Sequence, residues 1–188
     1  MLGMDFASRI DLRPRSQNEL LSLLRKFRRK FEVICVLCES KEISRQAAKD
    51  RRVDLLNFPL LDDRKRFFDR AEAELAASAS TSLELDIKPL LILEGPPRIR
   101  LISSLRREIR TALDFKLPIV ISSGVSETIL LRKPREMALI ASIFDLDFER
   151  ALKAVSENPV AIVKKNRGKL NADFVSPGIR VIEKGEDC

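Results

Sequence analysis

Short apolar, β-branched runs recur along this chain, and each is followed by a stretch whose apolar residues repeat at helical spacing. Val33-Ile-Cys-Val-Leu37 and Pro118-Ile-Val-Ile-Ser-Ser123 are the clearest runs. Arg9–Leu12, Val53–Asn57 and Leu83–Ile87 bring the set to five. A run apolar at nearly every position needs cover on both faces, which points to strands inside a parallel sheet. Strands alternating with helices imply right-handed βαβ units. Two architectures fit: an open doubly wound sheet, or a small irregular βα barrel. A regular eight-unit barrel rarely takes fewer than about 200 residues, so at 188 residues a barrel must have lost or shortened units.

The helical segments have legible ends. Ser16 and Glu19 spell a capping box before Leu20, Leu23, Leu24, Phe27 and Phe31. Further helices are predicted from Ser44 to about Asp50 and around Phe67, Phe68, Ala71, Leu75 and Ala76. Another carries the stripe Ile99, Ile102, Leu105, Ile109 and Leu113. Pro134 suits the first turn of a helix reaching about Phe144, and Asp147 caps the next. Asn158-Pro159 opens a final short helix, and Phe174–Ile182 reads as a last extended segment. Pro59 and Pro89 are read as closing strands. No repeat, low-complexity tract or linker divides the chain, so residues 1–188 are expected to form one domain, with the tail after about 168 peripheral.

Composition narrows the chemistry. The chain has no His, so it has no imidazole base, no Ser-His or Cys-His nucleophile pair and no His-ligated zinc. It has no Trp or Tyr, so base stacking on its ten Phe is not expected to be the main grip on a nucleic acid. Cys35-Val-Leu-Cys38 has the C-x-x-C spelling, but on a strand residues three apart face opposite ways. Both sulfurs therefore cannot reach one metal, and buried thiols are expected. Cys188 is the third cysteine. The absence of an 18-residue apolar run or a signal-peptide core predicts a soluble, cytoplasmic protein without a membrane partner.

Net charge is +7, from 35 Lys and Arg against 28 Asp and Glu, which favours a polyanionic partner. In parallel βα architectures functional groups gather beyond the carboxyl ends of the strands, and cations follow every strand here. They are Arg13 and Arg15, then Lys41 and Arg45, then Arg64 and Lys65. Lys88, Arg98 and Arg100 follow the fourth strand, and Arg132, Lys133 and Arg135 the fifth. As a set on one rim they suit nucleic-acid phosphates; singly, each reads as a solvated surface charge. Asp62-Asp63 reads as a helix cap. Ser122-Ser123-Gly124 reads as a turn rather than a phosphate loop, lacking the Gly-Lys-Ser/Thr ending. Asp54, Glu84 and Asp86 offer an oxygen-ligand alternative, a divalent-metal phosphoesterase.

Several segments together resemble the ribonuclease P protein component 3 family. Arg52-Val-Asp-Leu-Leu-Asn-Phe-Pro59 is similar to a strand signature of that family, and Leu85-Asp-Ile-Lys-Pro-Leu-Leu91 to a strand ending in a basic residue and Pro-Leu. Pro118–Gly124, Leu131-Arg-Lys-Pro-Arg-Glu-Met137 and Ala151–Pro159 resemble later segments in the same order. The resemblance spans roughly residues 50–165. It implies an α/β fold, an irregular and shortened TIM-like barrel related to the polymerase-and-histidinol-phosphatase fold. Phosphoesterases of that fold bind metals through several His, and this chain has none, so their catalytic set does not carry over. The resemblance implies a non-catalytic subunit of ribonuclease P, with no catalytic or metal-ligating residues and no cofactor of its own, magnesium being expected for the RNA catalyst. The implied partners are ribonuclease P RNA, another protein subunit in a heterodimer or heterotetramer, and precursor tRNA indirectly. Lys88, Arg132 and Arg135 match basic places in the family's segments; Arg98, Arg100 and Lys133 join them through the rim argument. Leu139, Ile140, Ile143 and Phe144 offer a partner face, with a core role weighing more. A general RNA chaperone of barrel shape is a third reading.

Overall fold

The computed structural model describes residues 5–58, 68–171, 174–176 and 179–182. Pro59, Asp62, Asp63, Arg64, Lys65, Phe67 and Cys188 lie outside the described residues. Five strands, β1 (Arg9–Leu12), β2 (Val33–Leu37), β3 (Leu55–Asn57), β4 (Ser82–Asp86) and β5 (Ile119–Ser122), form one wholly parallel sheet in the order 1-2-3-4-5. A doubly wound sheet reverses its strand order partway. This one does not, and sequential winding is that of a shortened, irregular TIM-like barrel.

One face of the sheet is covered by α1 (Gln17–Phe27), α2 (Lys41–Lys49), α3 (Arg70–Ala79) and α5 (Gly95–Asp114). Leu20 and Leu24 from α1, Ile43, Ala47 and Ala48 from α2, and Leu101, Leu105 and Ile109 from α5 meet Ile34, Val36, Leu56, Leu83 and Ile121. Each fully buried Leu or Ile there contributes about 1.5–3 kcal/mol. The α5 stripe is shifted from the expected one: Leu101, Leu105, Ile109 and Ala112 are buried, whereas Ile99 is exposed. Of the expected stripe, Leu105 and Ile109 are buried and Ile102 and Leu113 pack against the core; only Ile99, in the first two turns, turns outward. Ser16 caps α1 by accepting the Glu19 N–H at 3.2 Å, but the Glu19 carboxylate takes the Arg15 N–H instead of completing the box.

Pro89 does more than close β4: it occupies the first turn of α4 (Lys88–Ile92), where its missing N–H costs nothing. After β5, α6 (Pro134–Ala141) and α7 (Phe148–Val155) add to the same core through Met137, Ala138, Ala141, Phe144, Leu146 and Ala151. The last helix, α8 (Glu157–Leu170), is 14 residues rather than short. Pro159 sits in its first turn and so does not limit it.

Helix α8 lies on the opposite face of the sheet and spans the strands' amino ends. The Asn158 amide donates to the Ile119 carbonyl at 2.7 Å, and the Asn166 amide to the Glu32 carbonyl at 2.8 Å. Between them Ile162 packs on Val33, Cys35, Leu55 and Val120. A two-stranded antiparallel hairpin, β6 (Phe174–Ser176) and β7 (Ile179–Arg180), follows. No helix among the described residues is long and apolar enough to cross a membrane.

Candidate nucleic-acid interface

In a parallel sheet the helix following each strand begins at the strand's carboxyl end, so α4, α5 and α6 all start at one end of this molecule. Lys88 is the first residue of α4 and half-buried. Its ammonium donates to Ser126 Oγ at 3.0 Å and its backbone N–H to the Ser123 carbonyl at 3.1 Å. These two bonds tie the β4 end to the loop after β5. Arg98 and Arg100 are exposed in the first two turns of α5. Lys133 is the residue before α6, its N–H donating to Glu136 at 3.1 Å, and Arg135 is exposed in the first turn. Arg132 is half-buried and folds back, donating to the Ile129 and Leu131 carbonyls at 3.0 and 2.9 Å.

Lys88, Arg98, Lys133 and Arg135 therefore stand within the first turn of a helix or just before it, and Arg100 in the second turn of α5, near backbone N–H groups that already carry positive partial charge. Helices favour acids there, each worth about 0.3–1 kcal/mol. Helix α5 has no acid in its first turn, and Glu94 before it makes no capping bond. For α5, local helix stability does not account for this placement, whereas α6 carries Glu136 in its first turn.

The rest of the expected rim is partly spent internally. Arg13 makes a two-pronged pair with Glu39 at 2.8 and 2.7 Å, and Arg45 donates from one nitrogen, Nη2, to both Asp69 oxygens at 2.9 and 2.7 Å. Arg64 and Lys65 lie outside the described residues.

The inner face of the sheet holds a polar network that the sequence showed only as scattered acids. Arg9 grips the buried Glu84 carboxylate with both terminal nitrogens, at 2.5 and 2.7 Å. The Asn57 amide bridges Glu84 and Asp86 at 3.1 and 3.0 Å, the Cys35 thiol donates to Glu84 at 3.2 Å, and the Ser122 hydroxyl donates to Asp86. Burial pushes the Glu84 carboxyl up, but the Arg9 pairing outweighs it and holds the group below the usual range. Asp86 goes the other way, raised by burial and by Glu84 beside it. Burial likewise raises both thiols well above the ordinary value. Cys35 faces this network and Cys38 the opposite core, as strand alternation requires.

Asp54 stands apart from Glu84 and Asp86, which corrects the three-acid metal alternative. It precedes β3 at the amino end of the sheet, while Asp86 ends β4 at the carboxyl end. Its oxygens accept from Arg28 Nη1 at 2.6 Å, the Ile34 N–H at 2.9 Å and the Asn166 amide at 2.7 Å. Among the described residues no group of three or more Cys, Asp or Glu side chains is arranged to hold a metal ion. Ser122 ends β5 rather than opening a turn, and the chain leaves the strand through Ser123 and Gly124, which has φ +59° and where a Cβ would meet Asp86 at 2.8 Å. The expected partner face is divided: Phe144 is buried and Ile140 packs on the core, while Leu139 and Ile143 are exposed.

A family model described as RNase P subunit p30 matches residues 2–171. Ribonuclease P protein component 3 of Methanosarcina acetivorans is 33% identical over 185 residues, covering 98% of this chain and 76% of that protein. The Methanosarcina barkeri protein is 33% identical over 177 residues, 94% and 73% of the two chains. That of Haloarcula marismortui is 26% identical over 186 residues, 99% and 78%. A chain of the cryo-EM structure of archaeal ribonuclease P with mature tRNA shares the fold, with a TM-score of 0.86 at 23% identity over 99% of this chain and 80% of that one.

Proposed function

This chain belongs to the ribonuclease P subunit p30 family, and from that premise we propose that it is a non-catalytic subunit that holds the ribonuclease P RNA through its carboxyl-end rim. The RNA, with its magnesium, performs the cleavage that matures the 5′ end of precursor tRNA. This chain binds no cofactor, pairs with another protein subunit and works in the cytoplasm. The observation that carries the RNA contact is the set of exposed cations Arg98, Arg100, Lys133 and Arg135 at the starts of α5 and α6, on the carboxyl-end side of the sheet, with no acid in the first turn of α5 to offset Arg98. Lys88 and the 123–133 loop extend that surface. Neutralising phosphates there releases counterions and lets charged RNA helices pack closely.

The test is the triple reversal Arg98→Glu, Lys133→Glu, Arg135→Glu, assayed against ribonuclease P RNA over a salt series, with thermal melts as the folding control. Each lost phosphate contact lowers the slope of log affinity against log salt by roughly 0.7–0.9, so a drop of about two and at least tenfold weaker binding are expected. Unchanged affinity and slope in a folded triple variant would sink the rim as the RNA surface.

A further inference from the structure

At the other end of the sheet, a groove of about 590 Å³ opens between the end of α1, the turn before β3 and the end of α8. Arg28, Arg29, Arg51, Arg52 and Lys169 line it, with Phe174 on its wall. Two carboxylates offset this charge: Asp54 accepts from Arg28 at 2.6 Å, and Asp50 from Arg52 at 2.9 and 2.6 Å. Arg29 and Arg51 are exposed and Lys169 half-buried, none with an ion pair among the described residues. Arg28 also keeps its second terminal nitrogen, Nη2, buried without a hydrogen-bond partner among the described residues. Helix dipoles explain only part of this. Arg28 and Lys169 stand at helix carboxyl ends, where cations are favoured, but Arg51 and Arg52 sit in a turn. Burial first, and then the neighbouring Lys165 and Arg28 charges, depress the Lys169 ammonium against the opposing pull of Asp54, and a bound anion would offset the charge repulsion.

We propose that this groove is a second RNA-backbone site, at the opposite pole from the carboxyl-end rim, so that the subunit bridges two phosphate-bearing segments of its RNA. The inference rests on the RNA-binding reading above. Arginine forks suit phosphate oxygens, and Arg52 and Arg28 are held in place by Asp50 and Asp54 while Arg29, Arg51 and Lys169 supply unspent charge.

The experiment compares the full chain, a groove variant (Arg29→Glu, Arg51→Glu, Lys169→Glu), the rim variant and their combination. Each is titrated with transcribed ribonuclease P RNA from Methanosarcina acetivorans across a salt series. The groove variant leaves Arg28 and Arg52 and their carboxylates untouched, and melting curves check its fold; a Lys version (Arg29→Lys, Arg51→Lys) should keep most binding. The expected result is a slope lowered by about two in the groove variant, with the two losses adding in the combination. If the groove variant binds like the parent while the rim variant is weakened, the second site is wrong and the rim stands. If no form of the chain, the parent included, binds the RNA, the functional reading itself fails. Losses that do not add would also overturn the proposal, since they would mean one continuous surface. Millimolar inorganic phosphate raising the parent's melting temperature but not the groove variant's, with RNA affinity equal in both, would assign the groove to small phosphates and overturn it as an RNA site.

Discussion

At the scale of single residues, two buried acids have opposite pH signatures. Glu84 is held below its ordinary value of 4.5 because the Arg9 pairing overrides burial. Its contribution is present above about pH 4.5 and is lost as pH falls through the lower folded value. Glu84→Gln strands Arg9 and should cost about 3 kcal/mol at pH 7. In urea unfolding, that gap between parent and variant should shrink as pH drops from 5 to 3. Glu72 is buried against Ser44 and raised above 4.5 by that burial. Its ionisation costs stability as pH rises through the folded value, so Glu72→Gln should be more stable than the parent at pH 7, the advantage vanishing below about pH 4. Gly124→Ala should lower stability by at least about 1–2 kcal/mol in a thermal melt: the position has φ +59°, and a Cβ would strike the Asp86 side chain at 2.8 Å. Gly124 carried a sequence signal, as the end of the Ser-Ser-Gly segment, and Glu84 was visible only as an acid in a strand, a candidate oxygen ligand rather than an arginine partner. The Arg9–Glu84 pair joins residues 75 apart, and nothing local announces it.

At the scale of elements, the strands and most helix starts were legible because they depend on neighbours. Val33–Leu37 is apolar on both faces and needs double cover; Ser16 and Asp147 cap the helices they precede. Helix α8 was underestimated because its stability comes from distant partners. Asn166, fully buried, donates to both Asp54 and the Glu32 carbonyl, and Arg167 pairs with Glu32 and with Asp5, whose oxygens it meets at 2.6 and 2.8 Å. Asn166→Ala should cost about 2 kcal/mol by leaving those buried acceptors short of a donor. Asn166→Asp should cost more, because it sets a second carboxylate beside Asp54. Chemical denaturation of the two variants checks both the loss and its order; an Asp variant as stable as the parent would contradict this account of how α8 is seated.

At the scale of the whole molecule, the chain has a net charge of +7, and the buried Glu84 on the inner face of its sheet is offset by Arg9. Adding this chain to ribonuclease P RNA and the other protein subunits should raise precursor-tRNA cleavage. The gain should shrink as magnesium rises, since both neutralise the same phosphates. Cleavage unaffected at any magnesium level would count against a scaffolding role.

The sequence by itself determined the parallel βα architecture, the lack of imidazole chemistry and the cations after each strand. Periodicity, composition and chain order are local properties that survive without coordinates. The ordered motifs also carried the family. Only the tertiary structure decided which cations remain available. It spent Arg13 and Arg45 on Glu39 and Asp69. It set Asp54 apart from Asp86, and it gathered the doublets Arg28-Arg29 and Arg51-Arg52 with Lys169 into one groove. The physical reason is that a charge's role depends on its partner across space. Asp50 and Arg52 pair locally, but the partners of Arg13, Arg45 and Arg167 lie tens to more than a hundred residues away along the chain.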